Sequence, residues 1–354
     1  TAIWTVAWPE IIITGINLFF SIDRLGDYLI RSNVIKEISK NFQHSEIICS
    51  EKNYKLISTQ NFFSNVVIFN NKFKFFNKLK FFFLYLFSKY DASIVFDGKN
   101  ISTLLIFIIR SNFKFVFIYK KKGFINYIAR KVLIFFFKMF NIKYEYLNSR
   151  KLIEENNYDN YPEKYKILNK YFVINNTYTY FIDDSFVDKY KHLYGKYIII
   201  HLDEKFDDIK NITTNFQNSI INLQKRTNKL IFLTSFQNKF NYYKKLNFPK
   251  LDLIDLENSS YVYSNINIIE DLPILNFHNL IKNSFVNISC HAGYLVHTSL
   301  AFKKKTIDIM NESEQIWLNT WVEKTDNYKI IYKSAINDKI DIEDILEKIN
   351  NEFI

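Results

Sequence analysis

Short apolar runs separated by helix-like patterns dominate the chain. The first run, Leu18 to Ile22, stops at Asp23-Arg24 and is followed by Leu25, Gly26 and Asp27. Leu29, Ile30, Val34, Ile35 and Ile38 then recur at spacings that place them on one helix face. The pattern predicts a strand, a tight turn and a helix. Gly26 is expected in the turn, and Asp27 at or near the N-cap, where free N–H groups and the helix dipole favour a carboxylate. On these residues alone a capping carboxylate is the simplest account of Asp27.

Further buried strands are expected at Glu46–Ser50, Asn65–Asn70, Asp91–Asp97 and Phe113–Ile118, with helices between them. Alternation of this kind predicts a parallel sheet covered on both faces. Residues 150–195 are polar, rich in tyrosine and weakly periodic, which suits a connection between domains. The alternation then resumes. Strands are expected at Lys196–His201, Leu230–Thr234, Leu251–Leu256, Phe285–Ser289 and Lys305–Ile309, the last clear one. Helices are expected at Ile212–Gln224, from about Tyr294, and at Ile342–Phe353. The chain therefore divides into an unassigned opening (1–16), an N-terminal α/β domain (17–175), a C-terminal α/β domain (176–335) and a terminal helix (336–354). Its 354 residues leave room for two separate cores.

Composition sharpens three points. With 48% hydrophobic and 23% charged residues the composition is that of a globular and not a disordered chain. Only two cysteines, Cys49 and Cys290, lie far apart, which fits a reducing compartment better than a disulfide framework. The net charge of +11 is unevenly placed. Residues 71–150 carry sixteen Lys/Arg against Asp91, Asp97 and Glu145, a local excess of +13, so the rest of the chain sums to about −2.

That excess coincides with two predicted helices, 73–89 and 120–140, in which lysines alternate with phenylalanines and aliphatic residues. Such mixing suits a helix lying in an anionic membrane interface, and equally a core helix with a solvated basic face. A nucleic-acid partner is not expected, because no zinc spacing or basic zipper accompanies the charge. No apolar run approaches the roughly 20 residues of a membrane span, and no signal-peptide pattern opens the chain.

Three turns follow predicted strands: Asp23 to Asp27, His201 to Lys205, and Ser289 to Gly293. In doubly wound sheets ligands collect at strand C-termini. A carboxylate there can take a proton from a sugar hydroxyl, while a lysine and free helix N–H groups can hold a diphosphate. Asp97-Gly98 ends another strand and is a candidate acceptor contact or a plain turn. His201 and His291 are candidate ligand contacts, and His297 suits helix packing equally well. His44, His192 and His278 read as surface or packing residues. No His/Cys/Asp cluster has metal-ligand spacing, and no nucleophile elbow is present.

Arg24-Leu25-Gly26-Asp27, Asp271-Leu272-Pro273 with its following helix, and the segment Ser289 to His297 with Ala301 resemble the family 9 glycosyltransferases, the heptosyltransferases of lipopolysaccharide assembly. The resemblance runs in order from about Asn17 to Met310. It implies the GT-B architecture, an α/β fold of two Rossmann-like doubly wound domains facing a cleft, with inverting chemistry and no metal requirement. It implies Asp27 as catalytic base on an acceptor-binding N-terminal domain, where Arg24, Gly26 and Asp97 are the candidate acceptor contacts. Lys205, His201, Thr234, His291, Ala292, Gly293, Tyr294 and His297 fall on the donor side. No cofactor is implied beyond a nucleotide-diphosphate sugar as donor, ADP-heptose being one candidate. The partners expected are that donor, a glycan or glycolipid acceptor and, through the basic aromatic helices 73–89 and 120–140, an anionic membrane surface, with the chain peripheral on the cytoplasmic face of the inner membrane.

The chain departs from the family in two places, one of them the turn after the first C-domain strand, where His201-Leu202-Asp203-Glu204-Lys205 replaces the usual glycine-rich turn. The family usually has Asp-Ser/Thr-Gly and a histidine three residues on, whereas this chain has His291-Ala292-Gly293 and His297 four residues on. An altered donor is one consequence. A non-catalytic membrane-surface or glycan-binding protein that keeps the fold is the alternative.

Overall fold

The run from Leu18 to Phe20 lies in the strand Ile13–Ser21 (β1), and all three side chains are fully buried. Successive strand side chains point to opposite faces, so both faces of this sheet must be covered. The structure, a computed structural model, describes residues 13–69, 83–120, 123–148, 161–175, 180–183, 188–203, 205–236, 242–258, 263–290, 293–315, 321–322, 325–334 and 338–353. They fall into two compact units, Thr1–Glu155 with Glu163–Thr179, and Asn156–Pro162 with Tyr180–Ile354.

In the first unit β1 leads into the helix Leu25–Ser39 (α1), then Phe42–Ser50 (β2), Glu51–Ile57 (α2) and Asn65–Phe69 (β3). Lys89–Val95 (β4), Asn100–Ile108 (α3), Arg110–Lys120 (β5), Phe124–Met139 (α4) and Lys143–Asn148 (β6) follow. All the strands are parallel, in the order β3-β2-β1-β4-β5-β6. The second unit repeats the plan. Its strands are Tyr197–His201 (β7), Leu230–Ser235 (β8), Ile266–Glu270 (β9), Val286–Cys290 (β10), Lys305–Asn311 (β11) and Tyr328–Ser334 (β12). Their order is β12-β11-β10-β7-β8-β9, again all parallel. Counted from the first strand of each unit, both sheets run 3-2-1-4-5-6, the Rossmann order. Each therefore has a switch point between its first and fourth strands, where connections leave in opposite directions.

The second unit's helices are Ile212–Thr227 (α5), Leu253–Glu257 (α6), Ile274–Asn283 (α7), Tyr294–Ala301 (α8) and Ile342–Phe353 (α9). Ile342, Ile345, Leu346 and Ile349 of α9 share one core with Phe216, Ile220 and Leu223 of α5.

Several expectations need correction. Leu251–Leu256 is not a strand. A single bridge pairs Lys250 with Ile268, and the chain then turns at Asp252 into α6. The sheet's outer strand is β9 instead. The basic helices do not keep their expected bounds: Lys89 already belongs to β4 and Lys120 to β5. Residues 83–87 are helical, while 70–82 lie outside the described residues. α4 starts only after Gly123, whose φ of 112° suits glycine. The polar stretch after residue 150 is not simply a linker. Tyr161–Lys170 is a 3-10 helix whose Tyr165 and Leu168 are buried, with Tyr165 against Phe96 and Phe117 of the first unit.

Candidate active site

At the first unit's switch point the chain leaves β1 and meets the end of β4. Phe96 N–H donates to the Phe20 carbonyl (3.2 Å), and Ile22 N–H to Asp97 Oδ2 (2.9 Å). Helix α1 begins at Leu25, with extended Arg24 as its N-cap. Asp27 is thus the third helical residue, not the cap itself. Its Oδ2 accepts the Arg24 N–H at 3.3 Å, the return half of a capping box. Gly26 lies inside the first helical turn rather than in a left-handed turn before it. Arg24 is exposed.

Around Asp27 lies a buried polar cluster. Arg31, one turn along α1, is 1% exposed. It donates through Nη1 to the Phe96 carbonyl (3.0 Å), and through Nη2 to Ser21 Oγ (2.9 Å) and to Asp23 Oδ2. The Asp23 carbonyl accepts from Ser50 Oγ and Asn53 Nδ2, both at 3.1 Å. Two strand ends and two helix starts are thereby fixed on one turn. Asp27 itself is half-buried. Burial, and then the Asp23 charge, push its carboxyl up to about 6, against the opposing pull of Arg31 and the Arg24 N–H. A carboxylate in that range is ionised at neutral pH yet basic enough to draw a proton from a hydroxyl.

Asp97 does not fit the acceptor contact expected of it. It is 1% exposed, and its oxygens accept from Ile22 N–H, Lys99 N–H (2.9 Å) and Ser102 Oγ (2.7 Å). Burial, and then the Asp23 charge, push it up to about 6 despite these donors. Asp97 locks the switch point. The following Gly98 (φ 60°) lets the turn pass the Tyr119 ring, which an added Cβ would meet at 2.9 Å. Beside this turn a cavity of about 410 Å³ opens between α3 and α4, lined by Gly98, Asn100, Thr103, Tyr119, Asn126 and Arg130 among others.

The second unit's switch point joins the ends of β7 and β10. His201 Nδ1 lies 3.0 Å from Thr234 Oγ1, and its ring packs on Phe236 and Phe277. Thr234 is buried with its hydroxyl on His201, so it supports the histidine instead of lining a donor site. Lys205 is exposed, and its N–H donates to Asp203 Oδ1 (2.9 Å). Its carbonyl accepts from Lys333 Nζ (2.6 Å), a fully buried ammonium from β12 that also reaches Asp208 Oδ2 at 3.4 Å.

Gly293 caps α8 in extended conformation, and the ring of Tyr294 stacks on His278. His278 is fully buried, and burial holds it down at about 3, hence neutral, as befits a packing residue. His297 is also buried. Its Nδ1 lies 3.2 Å from the Tyr180 hydroxyl, which donates to the Trp321 carbonyl at 3.2 Å. It braces α8, and the expected donor contact does not fit that setting. Tyr180→Phe is expected to lower unfolding free energy by about 1 kcal/mol in urea titration and to leave nucleotide affinity unchanged. His291 and Ala292 lie outside the described residues. Cys290 is buried, and burial, then Asp203, push its thiol far up, so it is no nucleophile.

Sequence reading missed Arg31, Lys333 and Tyr180. Arg31 carried a faint signal, a cation among the apolar positions of α1; the other two act across long separations that no local pattern reports.

No family model and no curated protein matches the sequence. Solved structures do. The E. coli heptosyltransferase WaaC with ADP superposes with a TM-score of 0.62 at 10% identity, over 95% of this chain and 99% of that one. The fold is that of the heptosyltransferases. The E. coli ADP-heptose lipopolysaccharide heptosyltransferase II gives 0.64 at 9% identity, over 95% and 96%. A family 9 glycosyl transferase from Veillonella parvula gives 0.63 at 10% identity, over 96% and 92%. The heptosyltransferase fold extends along nearly the whole chain, which accounts for the paired Rossmann sheets as a GT-B fold.

Proposed function

We propose that the chain is an inverting, metal-independent glycosyltransferase that moves heptose or a related sugar from a nucleotide-diphosphate donor to a lipopolysaccharide or other surface glycan. The observation that carries this reading is the Asp27 carboxyl, raised towards neutrality at the switch point of the first of two Rossmann sheets. Structures with this fold hold ADP and an ADP-2-deoxy-2-fluoro heptose, which supports a nucleotide-diphosphate sugar as donor.

Asp27 takes the proton of the acceptor hydroxyl as its oxygen bonds to the anomeric carbon. The bond from that carbon to the diphosphate oxygen breaks on the opposite face, inverting the centre. Lys205 and the N–H groups at the start of α8 take up the charge on the departing diphosphate. The acceptor lies on the first unit, near the cavity beside Gly98. The test is a panel of nucleotide sugars, with release of nucleoside diphosphate in the presence of a glycolipid acceptor. Binding of no nucleotide would favour a non-catalytic protein of the same fold.

The reading includes a peripheral place on the anionic cytoplasmic leaflet. α4 exposes Phe124, Ile125, Phe135 and Met139 (61–82%) and carries Arg130, Lys131 and Lys138 with no acidic residue. Among the described residues no helix is long and apolar enough to cross a membrane. Flotation with phosphatidylglycerol vesicles is expected at low salt. K131E/K138E should cut partitioning by roughly tenfold or more, at about 1 kcal/mol per basic residue. Absence of flotation at low salt would remove the membrane from the account.

A further inference from the structure

Asp27 and Arg31 stand at positions i and i+4 of α1, the spacing at which a carboxylate and a guanidinium pair across one helical turn. Among the described residues no ion pair or hydrogen bond joins them. The guanidinium is instead committed to Asp23, Ser21 and the Phe96 carbonyl. Asp23 is held in place by its own backbone, whose carbonyl takes two side-chain donors from Ser50 and Asn53. Its carboxylate also accepts from Ser21 Oγ at 3.3 Å. The Asp23–Arg31 pair is buried, with side chains 6% and 1% exposed, so water does not screen it.

We propose that Asp23 is a positioning residue for Asp27: by holding the Arg31 guanidinium on itself, it keeps that cation from pairing with the carboxylate one helical turn earlier. A directly paired Asp27 would be a poor base, because a bound guanidinium stabilises the charged form and occupies the lone pairs that must receive the proton. The inference rests on the reading of Asp27 as the base.

The charged groups facing Asp27 are Asp23 and Arg24 from the β1–α1 connection, and Arg31 from its own helix. Asp97, from the end of β4, acts on Asp23's side of the cluster. Removing either member of the buried pair has an effect of definite sign. In D23N the freed guanidinium turns to Asp27 and lowers its titration. In R31Q an uncompensated Asp23 charge remains and raises it.

The experiment is a carboxyl-carbon NMR titration of Asp27 in the whole chain, assigned by its loss in D27N, with no substrate present. Wild type is expected to titrate near 6. D23N should move downward and R31Q upward, each by about one pH unit. Shifts of the same sign, or no shift in folded variants, would mean that the pair only braces the turn, and would overturn the proposal. Should a single variant fail to fold, D23N/R31Q decides, since it replaces the ion pair by two amides. Asp27 should then stay within about half a pH unit of wild type, and titration at an ordinary carboxylate value would overturn the proposal. Because no substrate is used, the outcome is separable from the base assignment. If D27A transferred sugar normally, that assignment would fail whatever the titration showed.

Discussion

Asp27→Ala is expected to leave a folded chain that still binds nucleoside diphosphate but transfers sugar on the order of 10²–10⁴-fold more slowly. The size follows from the role. The acceptor hydroxyl is a weak nucleophile until its proton has somewhere to go, and among the described residues Asp27 is the half-buried carboxylate that sits at a helix start and is raised towards neutrality. Asp97 is raised to a similar value, but its oxygens are filled by two backbone N–H groups and a serine hydroxyl. The loss in D27A should appear in kcat, because the proton moves only in the transition state. D27N should behave alike, since the amide keeps the shape and loses the basicity. A loss confined to KM would make Asp27 a binding group.

The second large effect is on stability. Asp97→Ala is expected to destabilise the first unit by on the order of 3 kcal/mol, read by urea denaturation. It strands the Ile22 N–H and the Ser102 hydroxyl, both buried, at the point where β1 and β4 diverge. The pH dependence has a definite sign. Because Asp97 is raised from 3.8 to about 6 in the folded state, the folded chain holds this proton more tightly than the unfolded chain does. Its contribution is greatest below the unfolded value and is lost as pH rises from about 4 through about 6. Replacement by alanine should therefore remove part of the stability decline across that window. A variant as stable as wild type would return Asp97 to the list of acceptor contacts.

What the sequence made legible follows from burial. β1, β4, β7 and β10 are interior strands covered on both faces, and short runs dominated by apolar residues announced them, with few polar positions such as Asn287 and Ser289 between. The strands that went unread, β6, β9 and β12, are all edges. Lys143-Tyr144-Glu145-Tyr146 and Tyr328-Lys329-Ile330-Ile331-Tyr332-Lys333 mix charge with apolar residues, as edge strands do, and look like loop or helix in a single sequence. The site shows the same limit. The place of Asp27 at the start of α1 was legible because a carboxylate beside a glycine after an apolar run is a local pattern. The pairing of Asp23 with Arg31 needed the turn of α1 to bring them together, and Lys333 reaches the Lys205 carbonyl across 128 residues. His297 shows the limit from the other side: its position left ligand contact and helix packing equally open, and three-dimensional packing sets its ring against Tyr180.

The most direct test of glycosyl transfer with Asp27 as base is the pH dependence of kcat/KM for diphosphate release from the best nucleotide sugar in the panel, with acceptor present. Measured from about pH 4.5 to about pH 8, it is expected to show an acidic limb near 6 in the wild type, with D27N low throughout. D27N with the wild-type rate and the same acidic limb would contradict the account.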